Sequence, residues 1–160
     1  MAEPPFYYII NEMDKKFLNQ QQKNIIVLLK KWGGNKPLSV LCKDSCSELS
    51  RLISYWIIKK YPKATIFILK GDNIFNTKRS HDIVLVEENE KTFLLDPSIW
   101  QFFKKKRSIL VSEIKNIDEA LKLAHNIYKG KWKVFEKIRK NICKESKELE
   151  RIIKLNVQES

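Results

Sequence analysis

The chain has 160 residues, 43% of them hydrophobic, with four Trp, eight Phe and five Tyr, which suits a single domain with one core and excludes a disordered chain. Its formal net charge of +12 is uneven: residues 1–100 hold 15 Lys+Arg against 11 Asp+Glu, whereas residues 101–160 hold 16 against 8. No apolar run reaches the roughly 18 residues a membrane span requires, and "MAEPPFYYIINEMDKKF" lacks the layout of a signal peptide, so a cytoplasmic protein is expected.

In chain order, Asp14 to Trp32 is predicted as a helix, because Phe17, Leu18, Gln21, Ile25, Leu28, Leu29 and Trp32 recur near helical spacing and Gly33–Gly34 is a natural stop. "PLSVLC", Pro37 to Cys42, reads as a short apolar connection or strand. An amphipathic helix follows, with Leu49, Leu52, Ile53, Trp56 and Ile57 on one face, Asp44 or Ser45 as its cap and Pro62 as its end. "ATIFILK" has the β-branched and aromatic content of a strand. After the polar loop "GDNIFNTKRS", two strands near residues 82–87 and 91–96 form a hairpin, and "SIWQFFKKKRSILV" offers room for a further strand. "NIDEALKLAHNIYK", capped by Asn116 or Asp118, reads as a helix, and another is predicted from about Lys131 to Leu155 after Gly130. The order α–α–β–β–β–α–α gives an α+β fold in one domain over 1–160, with a core about 37–112 and basic C-terminal helices about 114–155.

Three cysteines make an odd count, and no CxxC or His/Cys cluster suggests zinc, so a reducing compartment and no metal or cofactor are expected. Cys46 falls at the start of the Leu49-face helix, where the macrodipole and unpaired N–H groups favour a thiolate. If the hairpin turns at Asn89–Glu90, Glu88 pairs with Lys91 and Asp96 lies opposite Ile83. His81 and Asp96 then share a face as diagonal neighbours, whereas a one-residue slip would separate them. A histidine can serve such a thiol as ion-pair partner or general base, and an aspartate can orient the imidazole. Cys42, in an apolar run before the helix, is the rival nucleophile, with Cys46 favoured. Cys143 reads as structural and His125 as a helix-surface or core histidine.

"DSCSELSRLISYWIIKKYPKATIFIL", then "SHDIVLVE", then "FLLDPS" resembles the papain-like and transglutaminase-like cysteine enzymes, over roughly residues 42–100. Members of that superfamily place Cys at the start of a buried helix, His at the head of a strand and Asp on the next strand, often as "DP". Three features depart from the pattern: Asp44–Ser45 precede Cys46 where Gly or Trp is usual, Asp82–Ile83 follow His81 where an aromatic is usual, and no papain-type Gln lies a few residues upstream. The resemblance implies a papain-like/transglutaminase-like fold with a catalytic triad of Cys46, His81 and Asp96.

The function expected is a cysteine hydrolase working through a thioester, first a thiol peptidase on an acidic protein substrate, of the kind that toxin or effector domains carry into a target cell's cytoplasm. The alternatives are a protein-glutamine deamidase, transglutaminase or other acyltransferase. The sequence contains no Gly-rich phosphate loop, no GxSxG and no HExxH. For acyl transfer the Cys46 N–H is the first oxyanion donor, with Asn35, Ser39, the surroundings of Asp44 and the Gln20–Gln22 run left open for the second. An inhibitor or immunity protein is a further expected partner. A different class is a basic binding module on the same fold, in which "KKKR" (Lys104 to Arg107) and the Trp132 and Phe135 interleaved among lysines would hold nucleic acid, an anionic membrane surface or an acidic protein.

Overall fold

The computed structural model describes residues 13–105, 110–139 and 143–159. Helix α1, Lys15–Gly33, starts at Asp14, whose carboxylate accepts the Phe17 N–H at 2.7 Å, and ends where Gly34 turns to φ 66°. Its buried stripe is Leu18, Gln22, Ile25 and Leu29, so Gln22 takes the inward position expected of Gln21. The Pro37–Cys42 segment is not a strand: Leu38–Leu41 forms a one-turn helix, α2, because Pro37 presets its start and its carbonyl accepts the Val40 and Leu41 N–H groups. Helix α3, Cys46–Lys60, buries Leu49, Leu52, Ile53 and Ile57 and closes with the Tyr61 N–H on the Ile57 carbonyl, one residue before Pro62.

Five antiparallel strands follow: β1 Thr65–Asp72, β2 His81–Glu88, β3 Lys91–Asp96, β4 Leu110–Ile114 and β5 Lys131–Lys137, in the order β4-β3-β2-β1-β5. Between β2 and β3, Asn89 and Glu90 both take left-handed φ (54° and 66°), the combination that matches a two-residue turn to strand twist. Glu88 therefore pairs with Lys91 and Val84 with Leu95, the register the turn position implies.

Helices cover both faces of the sheet. On one, α1, α3 and the C-terminal helix α5 (Cys143–Glu159) pack over Ile66, Ile68, Val84, Val86, Phe93 and Leu95. On the other, helix α4 (Ile117–Tyr128) packs over Leu69, Ile83, Leu85 and Leu94. Double coverage is why β2 is buried without alternation from His81 to Val86.

The predicted helix over residues 131–155 is corrected. Lys129 (φ 58°) and Gly130 (φ 77°) reverse the chain tightly, and "KWKVFEK" runs back along β1 as an edge strand. Its alternating lysines fit a helix face as well as a strand, and the partner that decides, β1, lies far earlier in the chain, beyond the reach of local periodicity. Among the described residues, helical structure resumes at Cys143, whose side chain lies outside them.

Candidate active site

Four residues line one end of the sheet: Asp96 ends β3, His81 starts β2, and Gly71 near the end of β1 pairs with both His81 and Trp132. Gly71 has a steric reason, since a Cβ there would lie 2.5 Å from the Trp132 ring. The missing side chain lets that indole lie against Tyr128 (5.5 Å) and edge-on to His81 (6.4 Å between ring centroids).

His81 and Asp96 are both fully buried, and His81 Nε2 lies 2.8 Å from Asp96 Oδ2. The register makes this contact by placing both residues on the α4 face of the sheet. Asp96 is held from every side. Its Oδ2 also accepts the Tyr128 hydroxyl, its Oδ1 accepts the Ser98 N–H at 2.9 Å, and its main-chain carbonyl accepts Gln22 Nε2 at 3.1 Å. Gln22 thus braces the end of β3.

Cys46 is the first residue of α3 and is half-buried. One turn later, Ser50 Oγ donates to the Asp82 carbonyl at 3.0 Å, which fixes the head of α3 over the head of β2. Arg51 reinforces that docking by bridging Asp82 (3.2 Å) on β2 and Glu136 (2.7 Å) on β5. The turn before Cys46 holds Asp44 in the left-handed region (φ 63°), and Ser45, at the cap position, makes no side-chain cap bond. Ser45 Oγ instead accepts Asn156 Nδ2 from α5 at 3.0 Å. The first-turn N–H groups of α3 therefore keep their positive end directed at Cys46.

Burial alone would push the His81 imidazole down. The Asp96 charge and hydrogen bond oppose this, with a further contribution from Cys46, and together they raise it to about 10. Its Nδ1 is buried with no aligned hydrogen-bond partner among the described residues, which leaves that nitrogen for the Cys46 sulfur. Cys42 has the opposite surroundings. Burial, with the Asp96 carboxylate nearby, pushes its thiol up to about 12, and its sulfur packs 3.9 Å from the Ser98 carbonyl.

The structure therefore brings Cys46, His81 and Asp96 together. His125 is exposed, with Nδ1 2.7 Å from the Gly130 carbonyl across the α4–β5 turn. Lys104 and Lys105 are exposed, and Lys106 and Arg107 lie outside the described residues. Trp132 is engaged with the His81 surroundings, whereas Phe135 is 49% exposed under Lys70, 4.8 Å from its ring. Asn35 is exposed and Ser39 half-buried. A cavity of about 870 Å³ lined by Lys63, Thr65, Glu136 and Arg139 lies at the opposite end of the sheet from His81. No group of residues suited to hold a metal occurs among the described residues, and none of their helices is long and apolar enough to cross a membrane.

Tyr128 and Ser98 were not identified from sequence. Ser98 had a local signal, since an aspartate commonly accepts the N–H two residues on. Tyr128 had none, because its contact with Asp96 spans 32 residues and two elements. Tyr128→Phe should lower stability by about 1.5–3 kcal/mol, the range for a hydrogen bond to a charged group. Urea unfolding checks this, and an unchanged midpoint would remove the phenol from the Asp96 network.

Comparison with protein-family models, with curated proteins and with solved structures finds no match for this chain.

Proposed function

We propose that the chain is a cysteine hydrolase of papain-like or transglutaminase-like arrangement, with Cys46 as nucleophile, His81 as acid–base group and Asp96 as the group that orients His81. The observation that carries this reading is the buried imidazole itself. One nitrogen is fixed on a carboxylate, the other has no aligned partner, and the thiol at a helix start acts on the ring.

The chemistry follows from those roles. The Cys46 thiolate attacks an amide carbonyl carbon, and the oxyanion forms beside the first-turn N–H groups of α3. The imidazolium gives its proton to the leaving nitrogen as the C–N bond breaks, leaving a thioester. Neutral His81 then takes a proton from water, which attacks the thioester and releases the acid. Asp96 stabilises the imidazolium, and Tyr128 and Ser98 hold the carboxylate in place. A main-chain amide substrate makes this proteolysis. A glutamine side chain makes it deamidation, and an amine replacing water makes it acyl transfer.

The test is covalent capture. An activated ester of a blocked peptide, quenched in acid, should leave an acyl group on Cys46 that peptide mapping locates. Mass spectrometry of a protein mixture treated with the enzyme then separates cleavage, amide-to-acid exchange and amine incorporation. Acylation absent from Cys46, or unchanged in His81→Ala, would refute the assignment.

A further inference from the structure

The connection from β1 to His81 has a feature that the reaction above does not use. Asn73, Phe75 and Asn76 are all left-handed, with φ of 57°, 51° and 61°. Asparagine accepts that region readily, but for a residue as bulky as phenylalanine it is an outlier, and such strain concentrates at binding and catalytic sites. The strained Phe75 is nevertheless 39% exposed. Its ring packs against Phe102 (5.7 Å), Phe103 (5.9 Å) and Tyr128 (6.3 Å). Phe102 in turn stands edge-on to His81 at 4.8 Å. The loop thus presents an aromatic shelf whose inner wall is the proposed acid–base histidine.

Arg79 lies on this shelf, its guanidinium 4.7 Å from the centroid of the Phe102 ring. It is exposed, and no carboxylate among the described residues pairs with it, in contrast to Arg51 on Asp82 and Glu136. Stacking occupies the flat face of a guanidinium and leaves its edge donors free, in the fork geometry that grips a carboxylate with two parallel bonds.

We infer that Arg79, seated on Phe102 beside Phe75, is a specificity subsite that reads a carboxylate on the substrate; the inference rests on the thiol-hydrolase reading for the word substrate, but not for the binding itself. The carboxylate has two sources, an acidic side chain near the reacting amide or the terminal carboxylate of a peptide.

Two peptide sets separate these sources. One is a positional series of blocked peptides with a single Glu or Gln; the other compares each peptide as free acid and as terminal amide. Each is measured twice, as turnover by the wild-type chain and as equilibrium binding to Cys46→Ser. A preference of roughly tenfold or more for the carboxylate peptide is expected in KM and in binding, the scale of one charge-assisted contact. Arg79→Gln should raise the KM of the carboxylate peptide to that of its neutral twin, and Arg79→Lys should recover only part of the preference. Glu over Gln assigns an acidic side chain; free acid over amide assigns a chain terminus. Absence of both preferences, or a preference that survives in Arg79→Gln, overturns the subsite. If no peptide is turned over, the thiol-hydrolase reading falls, and the binding measurements still decide the role of Arg79. Binding of a dT oligonucleotide that depends on Arg79, without any peptide preference, would also overturn it.

Discussion

Cys46→Ser should reduce turnover by roughly 10⁴-fold or more while leaving stability within about 0.5 kcal/mol, and Cys42→Ser should do nearly the reverse. The two cysteines are four residues apart, yet their surroundings differ. Cys46 is half-exposed at the first turn of α3, with His81 beside it. Exchange of its sulfur for oxygen removes the nucleophile and disturbs little packing. Cys42 is fully buried, with its thiol pushed up to about 12. A thiol raised in this way is held in its protonated form at neutral pH, which disfavours Cys42 as the nucleophile. Placing a hydroxyl there should cost roughly 1–3 kcal/mol, because the buried site is fitted to a sulfur that reaches the Ser98 carbonyl at 3.9 Å, and the shorter hydroxyl leaves a more polar group less well paired. Steady-state kinetics and urea unfolding of the two variants measure both effects. Iodoacetamide at near-neutral pH should label Cys46 and spare Cys42 in the folded chain. Full activity in Cys46→Ser would end the nucleophile assignment.

The parts of the fold legible in sequence are those fixed by local chemistry. Asp14 and Gly34 bound α1, Asn89–Glu90 sets the hairpin register, and that register brings His81 onto the same face as Asp96. What was not legible depends on partners distant in the chain. The β5 strand is decided by β1 and by the turn at Lys129–Gly130, and Pro37–Cys42 is a helical turn wedged between two helices. The site divides the same way. Cys46, His81 and Asp96 announce themselves by residue type and position, whereas Tyr128, Gln22 and the Phe102 wall are brought in by tertiary packing alone. The C-terminal part also contributes contacts to the site's framework. Asn156 of α5 bonds to Ser45 at the turn that presents Cys46, and Glu136 of β5 anchors Arg51 of α3.

The stability of the wild-type chain should fall as pH rises from about 6.5 through about 10, and in Asp96→Asn that part of the pH dependence should shrink. The wild-type imidazole is raised above its unfolded value of 6.5 to about 10, because the Asp96 carboxylate overcomes the burial penalty on its charge. A group raised in this way contributes stability that is fully present below the unfolded value and lost as pH climbs through the folded one, here on the order of a few kcal/mol. Lysines and tyrosines titrate in the same alkaline range, so the informative quantity is the difference between wild type and variant. With asparagine at position 96 the ring keeps a hydrogen-bonding neighbour and the Cys46 sulfur but loses the Asp96 charge, which is the largest of the influences that oppose burial. The folded-state value therefore falls toward the unfolded one, and the stability lost with rising pH shrinks. Urea midpoints measured across this range for both proteins give the two slopes. Turnover should fall with the same substitution, because asparagine cannot stabilise the imidazolium formed during acyl transfer and can hold the wrong tautomer. His81→Ala should in addition slow alkylation of Cys46 at neutral pH, since the sulfur loses its cationic partner. Parallel slopes in wild type and Asp96→Asn, with equal turnover, would take Asp96 out of the site and leave at most a Cys46–His81 pair.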